Sequence, residues 1–341
     1  MTPAIFGLAG PVLTADERAF FKESDPAGYI LFGRNIVDRE QLRALTDDLR
    51  TLHGREHLLV SVDQEGGRVA RMKPPVWPAF PPAGAFADLW HIAPSSAIEA
   101  ARSNAAALAL DLAEAGINVD YAPMLDVRRP GAHDVIGDRA FGEEPLQVAA
   151  LGRAVLDGFE AAGVAGCIKH MPGHGRAEAD SHKELPVVDA SEAELEADLE
   201  PFRTLAHRAP IGMTAHVRYT AWDGDHPGTL SPFVVREIIR GRIGFDGLLL
   251  SDDIDMHALS GRVPARSLRA FEAGCDIVLN CWAKMDEMIA TAELLPAMNG
   301  ESSARLDRAL AACGKSVLQQ GDREQLVATR DALLALVKDP A

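Results

Sequence analysis

Val164-Ala165-Gly166-Cys167-Ile168-Lys169-His170-Met171-Pro172-Gly173-His174-Gly175 runs from five apolar or small residues straight into charge, imidazole and glycine. A short unbroken apolar run of this kind suits a parallel strand buried on both faces. Upstream, Pro145–Ala162 carries a helical pattern, and Gly163 stands where a glycine ends a helix before the next strand. The unit is therefore helix, glycine, buried strand, polar loop. Working outward, comparable runs occur at Ala4–Leu8, Tyr29–Phe32, Leu58–Val62, Ile117–Ala122, Ile211–Ala215, Leu248–Leu250 and Asp276–Leu279.

Helical stretches lie between the runs, near Ser96–Ala115, Pro232–Arg240, Pro264–Ala273 and Lys284–Leu295. Thr14 with Glu17, Asp38 with Gln41, and Ser191 with Glu194 have the spacing of a capping box. Gly116 and Gly274 repeat the role of Gly163. Eight strands alternating with helices over about 280 residues predict a (β/α)8 barrel, which typically needs about 250. A doubly wound open sheet is disfavoured. No G-x-G-x-x-G follows a strand, and polar residues cluster after most strands instead of at one crevice. The expectation is a single-domain TIM barrel over residues 1–341. The barrel itself takes about 1–300, and further helices over about 302–337 pack on its outside. Pro74–Gly84 reads as a rigid loop at the barrel mouth.

The 341 residues carry 34 Lys+Arg against 50 Asp+Glu, a formal charge of -16. That field repels phosphates and argues against nucleic acid or an anionic membrane as partner. No apolar run is long enough to span a bilayer. Pro3–Leu13 is mostly apolar, but the first cation is Arg18, so a buried strand is expected there and not a secretory leader. Cys167, Cys275, Cys281 and Cys313 form no C-x-x-C pair, and a reduced, cytoplasmic protein is expected.

Chemistry in a barrel sits on the loops after the C-terminal ends of the strands. Those positions hold Asp63-Gln64-Glu65-Gly66-Gly67-Arg68 with Arg71, then Asp126 and Gly137-Asp138-Arg139. Lys169-His170 follows, its loop carrying Asp180-Ser181-His182; His216 and Ser251-Asp252-Asp253 come last. Charges this near a barrel core need partners. Asp63, Asp180 and Asp252 can balance Arg71, Arg139 and Lys169. His170 and His174 have H-x-x-x-H spacing, but Pro172 and Gly173 between them oppose a helix that would present both on one face. The glycines of 171–185 and its few apolar anchors predict a loop that moves.

Lys169-His170-Met171-Pro172-Gly173-His174-Gly175 with Asp180-Ser181-His182 resembles the K-H-F-P-G-H-G…D-S-H segment of family 3 glycoside hydrolases, specifically the bacterial β-N-acetylhexosaminidase branch. Val62–Val69 resembles that branch's V-D-Q-E-G-G-R-V, Gly137–Phe141 its G-D-R-S-F, and Ser251–Met256 its S-D-D-L-x-M. Met171 replaces the usual Phe, and Asp255 stands where Ser is frequent. The resemblance implies a retaining exo-β-N-acetylglucosaminidase of peptidoglycan recycling, with no cofactor and no metal. Its substrate would be a muropeptide fragment with N-acetylglucosamine on 1,6-anhydro-N-acetylmuramic acid. It further implies Asp252 as nucleophile, His182 with Asp180 as acid/base, and Asp63, Arg71, Arg139, Lys169 and His170 as sugar-binding residues. A compact cytoplasmic monomer is expected.

Retention requires a nucleophile on one face of the sugar and an acid/base at the leaving oxygen. Spacing alone leaves open which of Asp252 and Asp253 attacks, and whether Arg71 and Arg139 are structural ion pairs. In an extended loop Asp180 and His182 point the same way, so the carboxylate can fix the imidazole tautomer. Trp77, Trp90, Trp222 and Trp282 are the only tryptophans. A long stacking platform for polysaccharide is therefore not expected, and a small pocket for a glycan end fits better. Two other readings remain open: a metal-dependent barrel hydrolase using His170, His174, His182, His216 and Asp252, and a family 3 β-glucosidase.

Overall fold

A computed structural model describes residues 1–129, 131, 133–181 and 183–337. Strands β1 (Thr2–Gly7), β2 (Pro26–Leu31), β3 (Leu59–Val62), β4 (Val119–Asp120), β5 (Ala165–Met171), β7 (Ile211–Thr214), β9 (Leu248–Asp253) and β10 (Ile277–Asn280) close a barrel. Every neighbouring pair is parallel, with β10 returning to β1. Each expected apolar run supplies one of these strands. Two short strands, β6 (Val187–Val188) and β8 (Arg218–Tyr219), pair separately beside the mouth.

Period-two alternation divides the strand residues between two cores. Ile5, Ile30, Leu59, Val119, Cys167, Ile211, Leu248, Leu250, Ile277 and Leu279 pack in one cluster inside the barrel. Phe6, Tyr29, Leu31, Val60, Ile168, Leu249 and Val278 belong to the outer cluster between strands and helices. All four cysteines are free and buried. The helix signals act as read. Thr14 and Ser191 close reciprocal capping boxes, and Asp38 caps the amide of Gln41. Gly116, Gly163 and Gly274 take positive φ just after helices. No helix among the described residues is long and apolar enough to cross a membrane.

The C-terminal helices depart from expectation. The segment α9 (Gly300–Ala311) does not lie on the flank. Its Leu306 and Ala309, with Cys313, join the interior cluster and close the floor of the barrel, the end opposite the mouth. Asp276, just before β10, ties that floor together. It accepts from Ser302 Oγ (2.6 Å) and pairs with Arg305 (3.1 Å) and Arg240 (2.7 Å). Only α10 (Arg323–Leu334) packs outside, against α4 (Pro94–Glu114).

Because Leu306 is 3% exposed, Leu306→Ala should cost about 2–5 kcal/mol of stability through the cavity it leaves. Catalytic activity at 25 °C should stay near wild type. Urea denaturation alongside a rate assay checks this, and an unchanged unfolding midpoint would refute the floor assignment.

Candidate active site

The inward faces of the strands lead directly to the mouth. On β5, Ala165, Cys167 and Lys169 succeed one another at alternate positions. On β3, Leu59 and Ser61 are followed by Asp63, one residue past the strand. The mouth holds a cavity of about 260 Å³, the scale of a single sugar ring and below the roughly 300–1,000 Å³ of drug-sized sites. Asp63, Arg71, Arg139, Lys169, His170, His174, Ser181, Asp252 and Asp253 line it together with Phe32, Tyr121 and Met256. The depression at the barrel floor, by contrast, is lined by Arg208, Arg305 and Arg308, each already paired to carboxylates.

Two neighbouring pairs line the cavity side by side, Lys169 with His170 and Asp252 with Asp253. Strict alternation would send one of each pair outward. Both sit where the ladder slips by one residue. From Ile168 to Met171, β5 spans three residues while β7 spans two from Gly212 to Thr214. From Leu250 to Asp253, β9 likewise spans three against Ile277 to Leu279 on β10. An extra residue at a strand end re-aims side chains beside active sites. Here it turns two consecutive residues toward one space.

Four of the expected sugar-binding residues form one connected ion network. Lys169 Nζ lies 3.0 Å from Asp63 Oδ1 and 2.7 Å from Glu65 Oε1. Arg139 grips Glu65 with two bonds, at 2.8 and 2.7 Å, and Arg71 reaches Asp63 at 3.2 Å. Burial alone would push the Asp63 and Glu65 carboxyls up. For Asp63, Lys169 and Arg71 more than offset it; for Glu65, Arg139 and Lys169 do. Both carboxyls stay below the usual range. Burial also works against the Lys169 ammonium, and Glu65 and Asp63 restore its charge. Three cations face two carboxylates, so the ionic reading of Arg139 and Arg71 is compatible with their lining the cavity. Glu65 is the hub, although the sequence marked it only as part of a motif.

His170 Nδ1 pairs with the fully buried Asp126 at 2.7 Å, which leaves the rest of the ring to the cavity. The same carboxylate accepts the backbone N–H of His174 at 2.6 Å. The His170 and His174 rings stand edge to face 5.8 Å apart. A tight turn brings them together, not a helix: the Gly173 N–H donates to the His170 carbonyl at 2.8 Å, with Gly173 at φ 137°. A Cβ at Gly175 would collide with the Val127 carbonyl, so only glycine fits there. Burial pushes the His174 imidazole down to about 4, so it is neutral at pH 7.

Beneath Asp252 lies a set of polar groups of which the sequence singled out only His216. The Asp252 N–H donates to Thr214 Oγ1 at 3.3 Å, Thr214 and Thr229 hydroxyls meet at 2.7 Å, and Thr229 Oγ1 is 2.7 Å from His216 Nδ1. His216 Nε2 donates to the Asp253 carbonyl at 2.9 Å. Burial lowers the His216 pKa, so the neutral ring carries its proton on Nε2 and Nδ1 accepts from Thr229. The peptide on either side of the carboxylate pair is thereby held. Burial, with Asp255 alongside, raises the Asp253 carboxyl well above the carboxylate range.

Asp180 is partly buried and its neighbour Ser181 lines the cavity. The Ser181 carbonyl accepts from Ala258 N–H at 3.2 Å. His182 lies outside the described residues. The first half of the 171–185 loop is better anchored than its composition suggested. Tyr219 Oη donates to the Gly173 carbonyl at 2.7 Å, and Arg176 pairs with Asp198. Among the described residues, no three His, Cys, Asp or Glu side chains converge as a metal set.

A closed parallel barrel that gathers carboxylates, imidazoles and fixed cations around a sugar-sized cavity has the architecture of a glycoside hydrolase. The chain belongs to glycosyl hydrolase family 3: residues 10–312 match that family's N-terminal domain. A beta-hexosaminidase of Methylococcus capsulatus is 40% identical over 334 residues, covering 96% of this chain and 95% of that one. One from Alkalilimnicola ehrlichii is 42% identical over 283 residues, with 82% and 80% covered. Among solved structures, NagZ from Neisseria gonorrhoeae in complex with N-trifluoroacetyl-D-glucosamine superposes with a TM-score of 0.87 at 32% identity. The match spans 98% of both chains.

One buried group outside the ion network gives a pH test. Asp120 is fully buried; burial raises its carboxyl to about 8, and its Oδ2 has no hydrogen-bond partner. Its folded pKa exceeds the unfolded value of about 3.9. The protonated form thus stabilises the fold below that value, and stability is lost as pH rises toward 8. Asp120→Asn, which keeps an acceptor for the Gln64 N–H, should gain on the order of 4 kcal/mol over wild type at pH 7. The two should converge near pH 4. Thermal melts across this range decide it, since parallel curves would mean Asp120 is ionised at pH 7.

Proposed function

We propose that this chain is a retaining exo-β-N-acetylglucosaminidase that releases terminal N-acetylglucosamine from peptidoglycan fragments. The fragments carry that sugar on 1,6-anhydro-N-acetylmuramic acid peptides, and the enzyme works as a cytoplasmic monomer in cell-wall recycling. The observation that carries the reading is Asp252 at the end of β9, lining a cavity for one sugar ring opposite the Asp63–Lys169–Glu65–Arg139 network. The relatives named beta-hexosaminidase, and the NagZ complex with an N-acylated glucosamine, support the substrate class.

In this mechanism Asp252 attacks the anomeric carbon and forms a glycosyl ester while the leaving oxygen takes a proton from His182. The imidazole, held by Asp180, then withdraws a proton from water, and hydroxide equivalent attack frees Asp252 with retained configuration. Asp252 is assigned the attack on the family resemblance and on its place lining the cavity at the end of β9, while burial and Asp255 disfavour the ionised form of the neighbouring Asp253. Asp63, Arg71, Arg139, Lys169 and His170 bind the hydroxyls and the acetamido group. Their donors and acceptors are pre-oriented by one another, so little reorganisation accompanies binding.

Quenching turnover of a slow fluorinated N-acetylglucosaminide should leave the peptide bearing Asp252 modified, as read by mass spectrometry. Asp252→Ala should lose at least about 1,000-fold in kcat with an unchanged melting temperature. A label on another carboxyl would overturn the mechanism. His182→Ala should slow cleavage of a natural disaccharide about 100-fold or more but that of a nitrophenyl glycoside far less, because an activated leaving group needs less protonation. Equal losses on both would remove His182 as the acid.

A further inference from the structure

The ladder between β7 and β9 pairs Ile211 with Leu248, Gly212 with Leu249 and Met213 with Leu250. Two residues further on, the Asp252 N–H meets a side chain, Thr214 Oγ1, and not a carbonyl. This is also the stretch where β9 slips against β10. On the β7 side, regular sheet bonding no longer fixes the backbone that carries Asp252.

Side chains take over there, and the direction of each proton follows from the geometry. The Asp253 carbonyl can only accept, so His216 Nε2, 2.9 Å away, carries the ring proton. In the neutral ring Nδ1 then accepts, and the hydroxyl 2.7 Å from it belongs to Thr229. The Ala215 carbonyl, another acceptor near that hydroxyl, is farther at 3.1 Å. With its own proton committed, Thr229 receives that of Thr214 at 2.7 Å, and the Thr214 oxygen receives the Asp252 N–H. Each group donates to the next, from the N–H of Asp252 round to the carbonyl of Asp253, and hydrogen bonds chained in this way strengthen one another. The peptide joining these two aspartates lies between the gripped ends, and its N–H donates to Asp252 Oδ1 at 2.8 Å. The orientation of the carboxylate thus follows the backbone that the chain holds. Thr214, His216 and Thr229 are fully buried, and none of them lines the cavity.

We propose that Thr214, Thr229 and His216 are positioning residues that aim the Asp252 carboxylate at the anomeric carbon, acting on the attack and not on sugar binding. Attack needs the reacting atoms about 3–3.5 Å apart and aligned, and a misplacement of about 1 Å can cost about 100-fold in rate. Valine would fill the space of either threonine without the cost of burying a hydroxyl; what the hydroxyls add is the hold on Asp252. The inference rests on Asp252 as the nucleophile.

The rate at which a slow fluorinated N-acetylglucosaminide esterifies Asp252 as its leaving group departs, followed by intact-protein mass, reads the attack. Inhibition of nitrophenyl N-acetylglucosaminide cleavage by free N-acetylglucosamine reads binding. Thr229→Val should slow esterification about 10- to 100-fold, and Thr229→Ser should restore most of that rate. The inhibition constant should stay within about twofold of wild type in both. Thr214→Val, one link nearer to Asp252, carries the same expectation and decides the matter alone if valine at 229 prevents folding, as thermal melts will show. The double variant Thr214→Val/Thr229→Val should be no slower than the slower single one, because either change already breaks the chain. Full-rate esterification in the valine variants, or inhibition lost in step with the rate, would overturn the positioning role while leaving the nucleophile in place. Losses that multiply in the double variant would overturn the chain as a single unit. A wild-type enzyme esterified on a different carboxyl would bring down the nucleophile assignment, and this inference with it.

Discussion

The Lys169 ammonium, 2% exposed and gripped by Asp63 and Glu65, is the constraint on which the site depends. An unpaired charge at that depth would be prohibitive, and removing one partner of a buried pair typically costs about 3–5 kcal/mol. Stability therefore requires that the loop after β3 and the end of β5 be held together. Glu65 extends the requirement to Arg139, some seventy residues away in the loop after β4. The loops after β3 and β4 and the end of β5 are thus positioned together by charge neutralisation. Under the proposed function the same atoms are the donors and acceptors that bind the sugar, so folding and substrate recognition would draw on one network.

Register slips at β5 and β9 supply the second half of the design. A regular strand offers the barrel mouth one side chain in two. Each slip offers two adjacent ones, and the two members of each pair then diverge in role. Lys169 is locked into the carboxylate network, while His170 is oriented by Asp126. Burial and Asp255 push the Asp253 carboxyl up, while its peptide carbonyl accepts from His216. Asp252 is held from below by Thr214.

How much of this the sequence discloses depends on whether the signal is local. Strands such as Val164–Ile168 and caps such as Thr14 with Glu17 are set by patterns within a few residues, and they stand where the pattern put them. The strand-end motifs likewise located Asp63, Lys169, His170 and Asp252 at one mouth. Glu65 as the network hub, Asp126 as the partner of His170, and the Thr214–Thr229–His216 chain were not legible as such, because each is defined by a contact between distant segments. The slips were invisible for a related reason: one inserted residue changes no composition and is expressed only against the neighbouring strand. The α9 helix was misplaced because its apolar stripe, Leu306 and Ala309, fits a flank as well as a floor. Only the closed barrel leaves an open apolar end for it to fill.

The 171–185 loop is anchored at the very glycines that suggested it moves. Its first half is fixed three ways: Gly175 lies against the Val127 carbonyl, Tyr219 holds Gly173, and Asp198 holds Arg176. Under the proposed function a sugar bound by Lys169 and His170 needs that half immobile, because each loosened contact would lower the differential stabilisation of the transition state. The glycine content that suggested mobility serves close approach here instead. The stretch that follows, near 178–185, contains Asp180 and His182. The proposed acid/base has the opposite requirement from the sugar-binding residues. It must reach the leaving oxygen in one step and clear the path of the departing aglycone in the next. In the proposed mechanism, an acid/base carried just beyond the anchored segment leaves the sugar-binding half undisturbed.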